Sequence, residues 1–154
     1  MRYLISGLAV LAGSCLFSIP AFAGPQDVSG LWQTESGGAH INIADCGDGT
    51  PCGILVWLDP VENAGAVDGR NPDKALQARP LIGLKMLWGF KAKKTGWKSG
   101  KIYDPESGKT YGSRLKVSDD GILRVKGCIG PICQTQKWSR VTQGGSVATA
   151  GGQE

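Results

Sequence analysis

Four of the five cysteines stand out as side chains that could do chemistry, and the fifth, Cys15, lies in the N-terminal apolar segment. The four occur in two short segments rich in turn residues, CGDGTPC and CIGPIC. Neither segment has the C-x-x-C spacing of a zinc ligand pair, and the single histidine, His40, cannot build a histidine-based metal site. An even set of cysteines between strand-like runs favours disulfides. Three pairings are open. The local pairs Cys46–Cys52 and Cys128–Cys133 are favoured, because each would join the two ends of one hairpin.

Carboxylates supply the other candidate chemistry. Asp104 and Glu106 form a pair of the kind that glycosidases use, but they fall at a predicted hairpin tip, where turn formation accounts for Asp104. Asp68, Asn71 and Asp73 offer oxygen ligands, although not at the spacing of an EF-hand calcium loop. The sequence also lacks a G-x-S-x-G elbow, a nucleotide-binding glycine loop and a histidine–nucleophile pair. We therefore predict neither an enzyme nor a bound metal or other cofactor.

Residues 1–23 are predicted to form a cleaved export signal. Arg2 is their only charged residue, an apolar run follows, Pro20 breaks it, and AFA supplies an A-x-A cleavage site. The apolar run is too short for a comfortable membrane span. The stretch LAGSC, which ends at Cys15, resembles a lipobox, although the extra Ser14 spoils the usual spacing. We predict a periplasmic or secreted protein whose mature chain has no transmembrane segment.

The rest of the chain has an almost purely β pattern. Short alternating runs are separated by turns rich in Gly, Pro and Asp. Only 73–79 looks helical, and Asn71 is expected to cap this helix, with Pro72 at its first position. The helix lies in the long connection between the third and fourth strands, which could also form a lid over one barrel mouth. The candidate strands are 28–35, 39–45, 52–58, 81–90, 97–104, 109–117, 121–128 and 133–141.

Eight antiparallel strands in chain order can close into an up-and-down barrel with no free edge. We therefore predict an all-β fold, a single small eight-stranded antiparallel barrel over residues 24–142 with one short helix in the strand 3–4 connection. The tail, residues 143–154, has no bulky residue beyond Val147 and is predicted to be disordered. The formal net charge of +4 is a mild excess, below that of a dedicated nucleic-acid binder.

Two hairpins fix which side chains face inward. The residues opposite each other in the hairpin that turns at 105–108 are expected to be Asp104–Lys109, Ile102–Tyr111, Gly100–Ser113 and Lys98–Leu115. Those of the last hairpin are expected to be Cys128–Cys133, Gly127–Gln134, Val125–Gln136 and Leu123–Trp138. Trp97 and Tyr103 then face outward.

The predicted interior is not wholly apolar. Buried amides and hydroxyls must find hydrogen-bond partners, and a cavity that holds an amphipathic ligand would provide them. The alternative is a filled barrel in which these groups and ordered water satisfy one another. The proposed ligand-binding residues are Trp57, Tyr111, Ser113, Gln134, Gln136 and Trp138.

The segment WGFKAKKTGWK interleaves aromatic residues with lysines. In an exported protein this pattern suggests contact with an anionic envelope surface rather than with nucleic acid, although a solvated loop is an equal alternative. The function favoured by the sequence is a periplasmic binder of a small amphipathic or lipid-like ligand. The alternative is a structural or interaction protein of the envelope, with a solid barrel and a cationic partner-binding surface. The basic surface residues are Lys91, Lys93, Lys94, Lys98 and Lys101.

The first and last strands should meet where the barrel closes. Trp32 can then lie under the guanidinium of Arg140, which satisfies an inward cation and plugs one end of the barrel. Gly30-x-Trp32 with an arginine on the last strand resembles the calycin superfamily of lipocalins and fatty-acid-binding proteins. GLWQTE, CGILVWL, DGRNPDKALQARPLIG, WKSGKIYDPESGKTY and TQKWSR together resemble the bacterial family DUF2147. That resemblance implies a lipocalin-like barrel and export, but no substrate or catalytic residue.

Overall fold

A computed structural model describes residues 27–142. The predicted export signal (1–23) and the predicted disordered tail (143–154) lie outside the described residues.

The described chain is built almost entirely of strands. Their bounds are β1 Gly30–Gln33, β2 Ala39–Asp45, β3 Pro51–Leu58, β4 Lys85–Trp88, β5 Lys91–Lys93, β6 Gly96–Asp104, β7 Lys109–Val117, β8 Leu123–Ile129 and β9 Ile132–Arg140. The connection between β3 and β4 contains the one short α-helix, α1 Pro60–Asn63, and a 3-10 turn, Lys74–Leu76.

The strands form a closed antiparallel barrel, as the sequence predicts. Consecutive strands pair around the sheet, and β1 closes it against β9. The short strands β4 and β5 both pair with β6, one above the other, so they act as a single interrupted strand and the barrel is eight-stranded. The interruption falls at Gly89 and Phe90. The ring of Phe90 occupies the space that a side chain at position 100 would need. A Cβ on Gly100 would therefore overlap the Phe90 ring.

Most of the predicted hairpin registers are confirmed. Every pair expected for the β8–β9 hairpin is present. In the β6–β7 hairpin the pairs from Asp104 to Gly100 are also present, but Trp97 rather than Lys98 lies opposite Leu115. The strand is irregular between Trp97 and Gly100, and Ser99 has a φ of 60°. This bulge turns the Trp97 side chain toward the core, which corrects its predicted outward placement.

The hydrophobic core lies at the end of the barrel where β1 begins, which we call the lower end. Its members come from nearly every strand, because alternate residues of each strand point inward. The fully buried large apolar side chains are Trp32, Ile41, Ile43, Leu55, Leu87, Leu115, Leu123 and Val125.

The seam of the barrel, where β1 meets β9, is paired over only part of its length, and this leaves the end of the barrel away from the hydrophobic core more open. β1 pairs with β9 only at Trp32–Arg140 and Gln33–Ser139. Beyond these pairs, within the described chain, β9 has a strand partner only in β8. Every residue of β9 from Ile132 to Lys137 is exposed, whereas Trp138 is buried. The upper half of the seam is therefore open.

The β3–β4 connection differs from its prediction in two respects. The helix expected over 73–79 is only the 3-10 turn, and its cap is Asp73, whose side chain accepts from the backbone N–H of Ala75. Asn71 does not cap this turn: its Oδ1 accepts from the backbone N–H of Asp73, just before the turn, while its Nδ2 donates to Asp68 and Tyr103. The segment also packs on the outer face of β6 rather than forming a lid, so that Tyr103 is buried although it points away from the barrel interior.

Both predicted disulfides are confirmed. Cys46–Cys52 joins the ends of the β2–β3 turn, and Cys128–Cys133 joins β8 to β9 one residue below the hairpin tip. The first bridge lies at the closed end of the barrel and the second at the open end.

Candidate functional site

A cavity of about 380 Å³ lies at the open end of the barrel, between the inner faces of β6 to β9. Its walls combine apolar and polar side chains from all four strands. The lining residues are Ile102, Asp104, Tyr111, Val125, Gly127, Ile129, Ile132, Gln134 and Gln136.

Strand alternation and one glycine create this space. The two hairpin registers bring Ile102 opposite Tyr111, and Gly127 opposite Gln134. A Cβ placed on Gly127 would meet only the Cγ2 of Ile102, at 3.7 Å. The missing side chain at Gly127 therefore leaves open volume in the middle of the wall.

The rim of the cavity carries a fixed carboxylate. The hydroxyl of Ser107 donates to Oδ2 of Asp104 at 2.6 Å, and the backbone N–H of Glu106 donates to Oδ1 at 3.0 Å. The hydroxyls of Ser107 and Tyr111 lie 3.2 Å apart. These contacts hold Asp104 and Tyr111 in place at the mouth.

Two glutamines supply polar groups on the opposite wall. Nε1 of Trp138 donates to Oε1 of Gln136 at 2.7 Å, which leaves the amide N–H groups of Gln136 available. The Gln134 side chain makes no hydrogen bond within residues 27–142. The cavity thus offers amide donors and an amide acceptor that the protein itself does not use.

The structure brings three of the six predicted ligand-binding residues together on the cavity, namely Tyr111, Gln134 and Gln136. Trp138 is buried beneath them and orients Gln136. Ser113 is buried farther down β7, and its Oγ has no hydrogen-bond partner in the described part of the chain.

Trp57 lies elsewhere, which corrects its predicted place in the interior. A β-bulge puts His40 opposite Trp57 and Ile41 opposite Leu55, so that Val56 is an extra residue. Trp57 therefore points outward with His40, and their ring centroids are 4.4 Å apart. The indole is 37 % exposed and does not line the cavity.

Six lining residues were not identified from the sequence as part of the site. Val125 and Gly127 were expected on the inward face of the last hairpin, but not as ligand-binding residues. The signal for Ile102 and Asp104 was present, since the hairpin register puts both on the face of Tyr111. Asp104 was assigned to the turn alone. Ile129 and Ile132 flank the turn between the cysteines, where exposure is the usual expectation, and no sequence signal shows that they also border a cavity.

The five predicted basic surface residues lie along β5, β6 and the turn between them, and all are exposed. Lys91 is directly opposite Lys98. Among residues 27–142, the only ion pair is that between Arg79 and Asp68, so these lysines have no carboxylate partner.

A second polar group is buried on the outside of the barrel, beneath the β3–β4 connection. Asp68 is completely buried and accepts hydrogen bonds from Tyr103, Asn71 and Arg79 at 2.5 to 2.9 Å. Burial acts to raise the pKa of Asp68, but the hydrogen bonds and the charge of Arg79 outweigh it and hold that pKa below its usual value. Burial, followed by the contact with Asp68, raises the pKa of Tyr103.

A groove of about 660 Å³ lies next to this buried group, bordered by Arg79, Lys85, Trp88 and Ile82. Its polar floor, Asn71 and Tyr103, is already engaged with Asp68. These residues anchor the connection to β6. We regard the barrel cavity as the better candidate site, because its amides have no such internal partners.

The described residues contain neither a metal-ligand cluster nor a helix that could span a membrane. No group of three or more His, Cys, Asp or Glu side chains there is arranged to hold a metal ion. No helix within 27–142 is long and apolar enough to cross a membrane.

Comparison with known proteins agrees with the barrel. A solved structure described as protein HP1028 from Helicobacter pylori, which belongs to the lipocalin family, superimposes with a TM-score of 0.67. The alignment covers 76 % of this chain and 84 % of that chain at 23 % identity, so it establishes the fold alone. A search of curated protein sequences gives no match.

The two disulfides are compatible with an exported protein. The profile of a family described as uncharacterized protein conserved in bacteria matches residues 30–140. The chain belongs to this family, DUF2147.

Proposed function

We propose that this protein binds one small amphipathic or lipid-like molecule in the cavity between β6 and β9. The observation that carries the proposal is an open cavity of about 380 Å³ with apolar walls and unengaged amides. Small-molecule sites in proteins typically occupy about 300–1,000 Å³ and combine apolar walls with a few polar groups.

The chemistry of the walls suggests how the ligand is oriented. The apolar part would contact Ile102 and Val125 deep in the cavity, where each buried CH₂ contributes about 0.8 kcal/mol. The polar end would meet Gln134 and Gln136. Because Asp104 is an acceptor when ionised, the ligand is expected to present a donor, such as a hydroxyl or ammonium group, to that side of the rim.

The same observations weigh against the alternative inferred from the sequence, a solid barrel that works only through its surface. Gly127 leaves an interior space that a packed barrel would fill. We place the protein in the periplasm, on the basis of the export signal expected over 1–23 and the two disulfides.

The decisive experiment combines native mass spectrometry with a variant that fills the cavity. Protein purified gently from bacterial periplasm is expected to carry a small molecule. Lysolipids, whose headgroups carry hydroxyl or ammonium donors, should change its tryptophan fluorescence, because Trp138 contacts Gln136. Gly127→Leu should abolish both signals, since its side chain would enter the cavity.

Gly112→Leu is the matched control. Gly112 lies on the neighbouring strand opposite Cys128, points outward, and has open space around its Cβ apart from the Cys128 carbonyl at 3.7 Å. This variant should bind like the wild type. Absence of a bound mass together with no fluorescence response in the wild type, or equal binding by both variants, would contradict the proposal.

A further inference from the structure

The tip of the β8–β9 hairpin exposes two large apolar side chains. Ile129 and Ile132 lie opposite each other on either side of Gly130 and Pro131, and they are 67 % and 75 % exposed. The Cys128–Cys133 disulfide joins the strands directly beneath them. We call Ile129 and Ile132 the apolar tip. Because both residues also line the cavity, the apolar tip forms one side of its mouth.

The hairpin on the other side of the mouth has the opposite character. The β6–β7 turn contains Glu106 and Ser107 and is held by Asp104. The β8–β9 side of the mouth can therefore enter an apolar environment favourably, whereas burial of the polar β6–β7 side in the same environment would be unfavourable. The mouth is asymmetric.

The outer surface of the same strands is strongly cationic. Like charges lie directly opposite each other at Arg114–Lys126, Lys116–Arg124 and Arg124–Lys137. Such pairs destabilise an isolated sheet, and the part of the chain that the structure describes supplies no ion-pair partner for them. An anionic surface would relieve this repulsion. We call the following set the cationic face: Arg114, Lys116, Arg124, Lys126 and Lys137.

The cationic face and the apolar tip are spaced for a lipid interface. Lys126 lies three residues below Ile129 on β8, and Arg114 is opposite Lys126. At about 3.4 Å per residue these charges are about 10 Å from the tip. Apolar groups of interfacial proteins enter about 5–10 Å into the headgroup region. Inserted isoleucines would therefore bring Lys126 and Arg114 to the level of the lipid phosphates.

We propose that the apolar tip and the cationic face dock the barrel on an anionic lipid bilayer, with the cavity mouth against the membrane. The occupant of this surface is the bilayer, because the combination of exposed isoleucines and unpaired cations matches its two chemical layers. The inference rests on the proposed function, in that docking gives a lipid-like ligand a direct path into the cavity.

Vesicle flotation tests the docking. Vesicles of phosphatidylcholine alone should bind the oxidised protein weakly, and vesicles that also contain phosphatidylglycerol should bind it more tightly, with binding that falls as salt is added. The double variant Ile129→Ser with Ile132→Ser should weaken binding at least about tenfold. The double variant Arg114→Glu with Lys126→Glu should weaken binding to the anionic vesicles by a similar factor.

Matched controls lie away from the mouth. Ile82→Ser removes a side chain that is 49 % exposed in the outer groove, and Lys74→Glu reverses an exposed charge in the 3-10 turn. Both should bind vesicles like the wild type. The docking would be overturned if the control variants lost vesicle binding as much as the test variants do. It would also be overturned if substitutions in the apolar tip and the cationic face left vesicle binding unchanged. A stable dimer in sedimentation velocity that Ile129→Ser with Ile132→Ser dissociates would also overturn it, in favour of a second copy as the occupant.

The response to a soluble lysolipid, measured without vesicles, separates this inference from the proposed function. Arg114 and Lys126 do not line the cavity, so their double variant should keep the lysolipid response while losing vesicle binding. A protein that binds lysolipid but no vesicles contradicts docking alone. A protein that binds vesicles but no lysolipid contradicts the proposed cavity function alone.

Discussion

The guanidinium carbon of Arg140 lies 4.3 Å from the centroid of the Trp32 ring. Its Nη1 donates to the Ser29 carbonyl at 2.9 Å, and Nε1 of Trp32 donates to the Val28 carbonyl at 2.9 Å. The last residue of β9 is thereby joined to the segment that precedes β1. This contact closes the barrel at one end, and the cavity lies at the other.

Trp32 and Arg140 should be energetically coupled. Trp32→Ala is expected to lower the free energy of unfolding by about 3–5 kcal/mol, as a buried large-to-small change. Arg140→Ala is expected to lower it by about 1–3 kcal/mol through lost stacking and packing. Urea unfolding of both single variants and the double variant should give a coupling energy of at least about 0.5 kcal/mol. Fully additive effects would show that the stacking contributes nothing.

Gly30 should be required for the same contact. A Cβ at Gly30 would overlap Nη1 of Arg140, and its φ of +123° disfavours any other residue. Gly30→Ala should therefore lower the free energy of unfolding by more than Gly121→Ala, which has a φ of +78° but nothing within 4 Å of its Cβ. We expect strain of about 1–3 kcal/mol in both variants, plus the displaced guanidinium in the first. In an Arg140→Ala background, the loss of unfolding free energy caused by Gly30→Ala should come closer to that caused by Gly121→Ala. If the difference between the two losses stays the same, this explanation is contradicted.

The sequence predicted the barrel well where turns and disulfides fix the strand register. The β8–β9 pairs follow from setting Cys128 opposite Cys133, and the upper β6–β7 pairs follow from the Asp104–Lys109 turn. Errors arise at bulges, which alternation cannot detect. One extra residue turns Trp57 outward, and another irregularity turns Trp97 inward.

The candidate site was predicted only in part, for a different reason. Alternation shows that Tyr111, Gln134 and Gln136 point inward, but it does not show how deep each lies along the barrel. How deep each of these side chains lies in the cavity depends on the residue at which the pairing of β1 with β9 ends. That point is set by tertiary packing. Tyr103 is a related case. It points outward, as expected, yet a connecting segment with no repeating pattern buries it beside Asp68.

The buried carboxylate of Asp68 should make stability depend on pH. Its folded pKa is lower than the unfolded value of about 3.9, so its contribution is fully present above that value and disappears as the pH falls through the folded pKa. Asp68→Asn should therefore lower the free energy of unfolding more at pH 7 than in acid, as measured by urea unfolding over a pH series. An equal loss at both pH values would contradict the ionised assignment.

The hydroxyl of Tyr103 should contribute through the same carboxylate. Tyr103→Phe removes one donor to buried Asp68 and should lower the free energy of unfolding by about 1–3 kcal/mol at neutral pH. Tyr111→Phe is the matched control, because within residues 27–142 the Tyr111 hydroxyl hydrogen-bonds only with Ser107, at the cavity rim. Equal effects of the two variants, measured by urea unfolding, would mean that the buried group has no special role.

The two disulfides should separate stability from ligand binding. Each closes a short loop, so replacing either pair by serines should lower the free energy of unfolding by about 2 kcal/mol. Only the Cys128–Cys133 pair lies beside the cavity mouth. Its removal should also weaken the lysolipid fluorescence response, whereas the Cys46,Cys52 double serine variant should keep the wild-type response. Loss of the response in both variants would indicate a general effect of instability.

We expect export of the protein, with cleavage that begins the mature chain at Gly24. The A-x-A stretch of Ala21 and Ala23 follows the apolar run at the spacing of a signal-peptidase site, and the LAGSC stretch does not have the usual lipobox spacing. Intact mass of protein secreted to the periplasm from the full-length gene should equal residues 24–154 less four hydrogens, for the two disulfides. Ala23→Asp should block cleavage and leave the longer precursor, while Cys15→Ser should leave the product unchanged. A mature chain that begins at an acylated Cys15 would instead make the protein a lipid-anchored one.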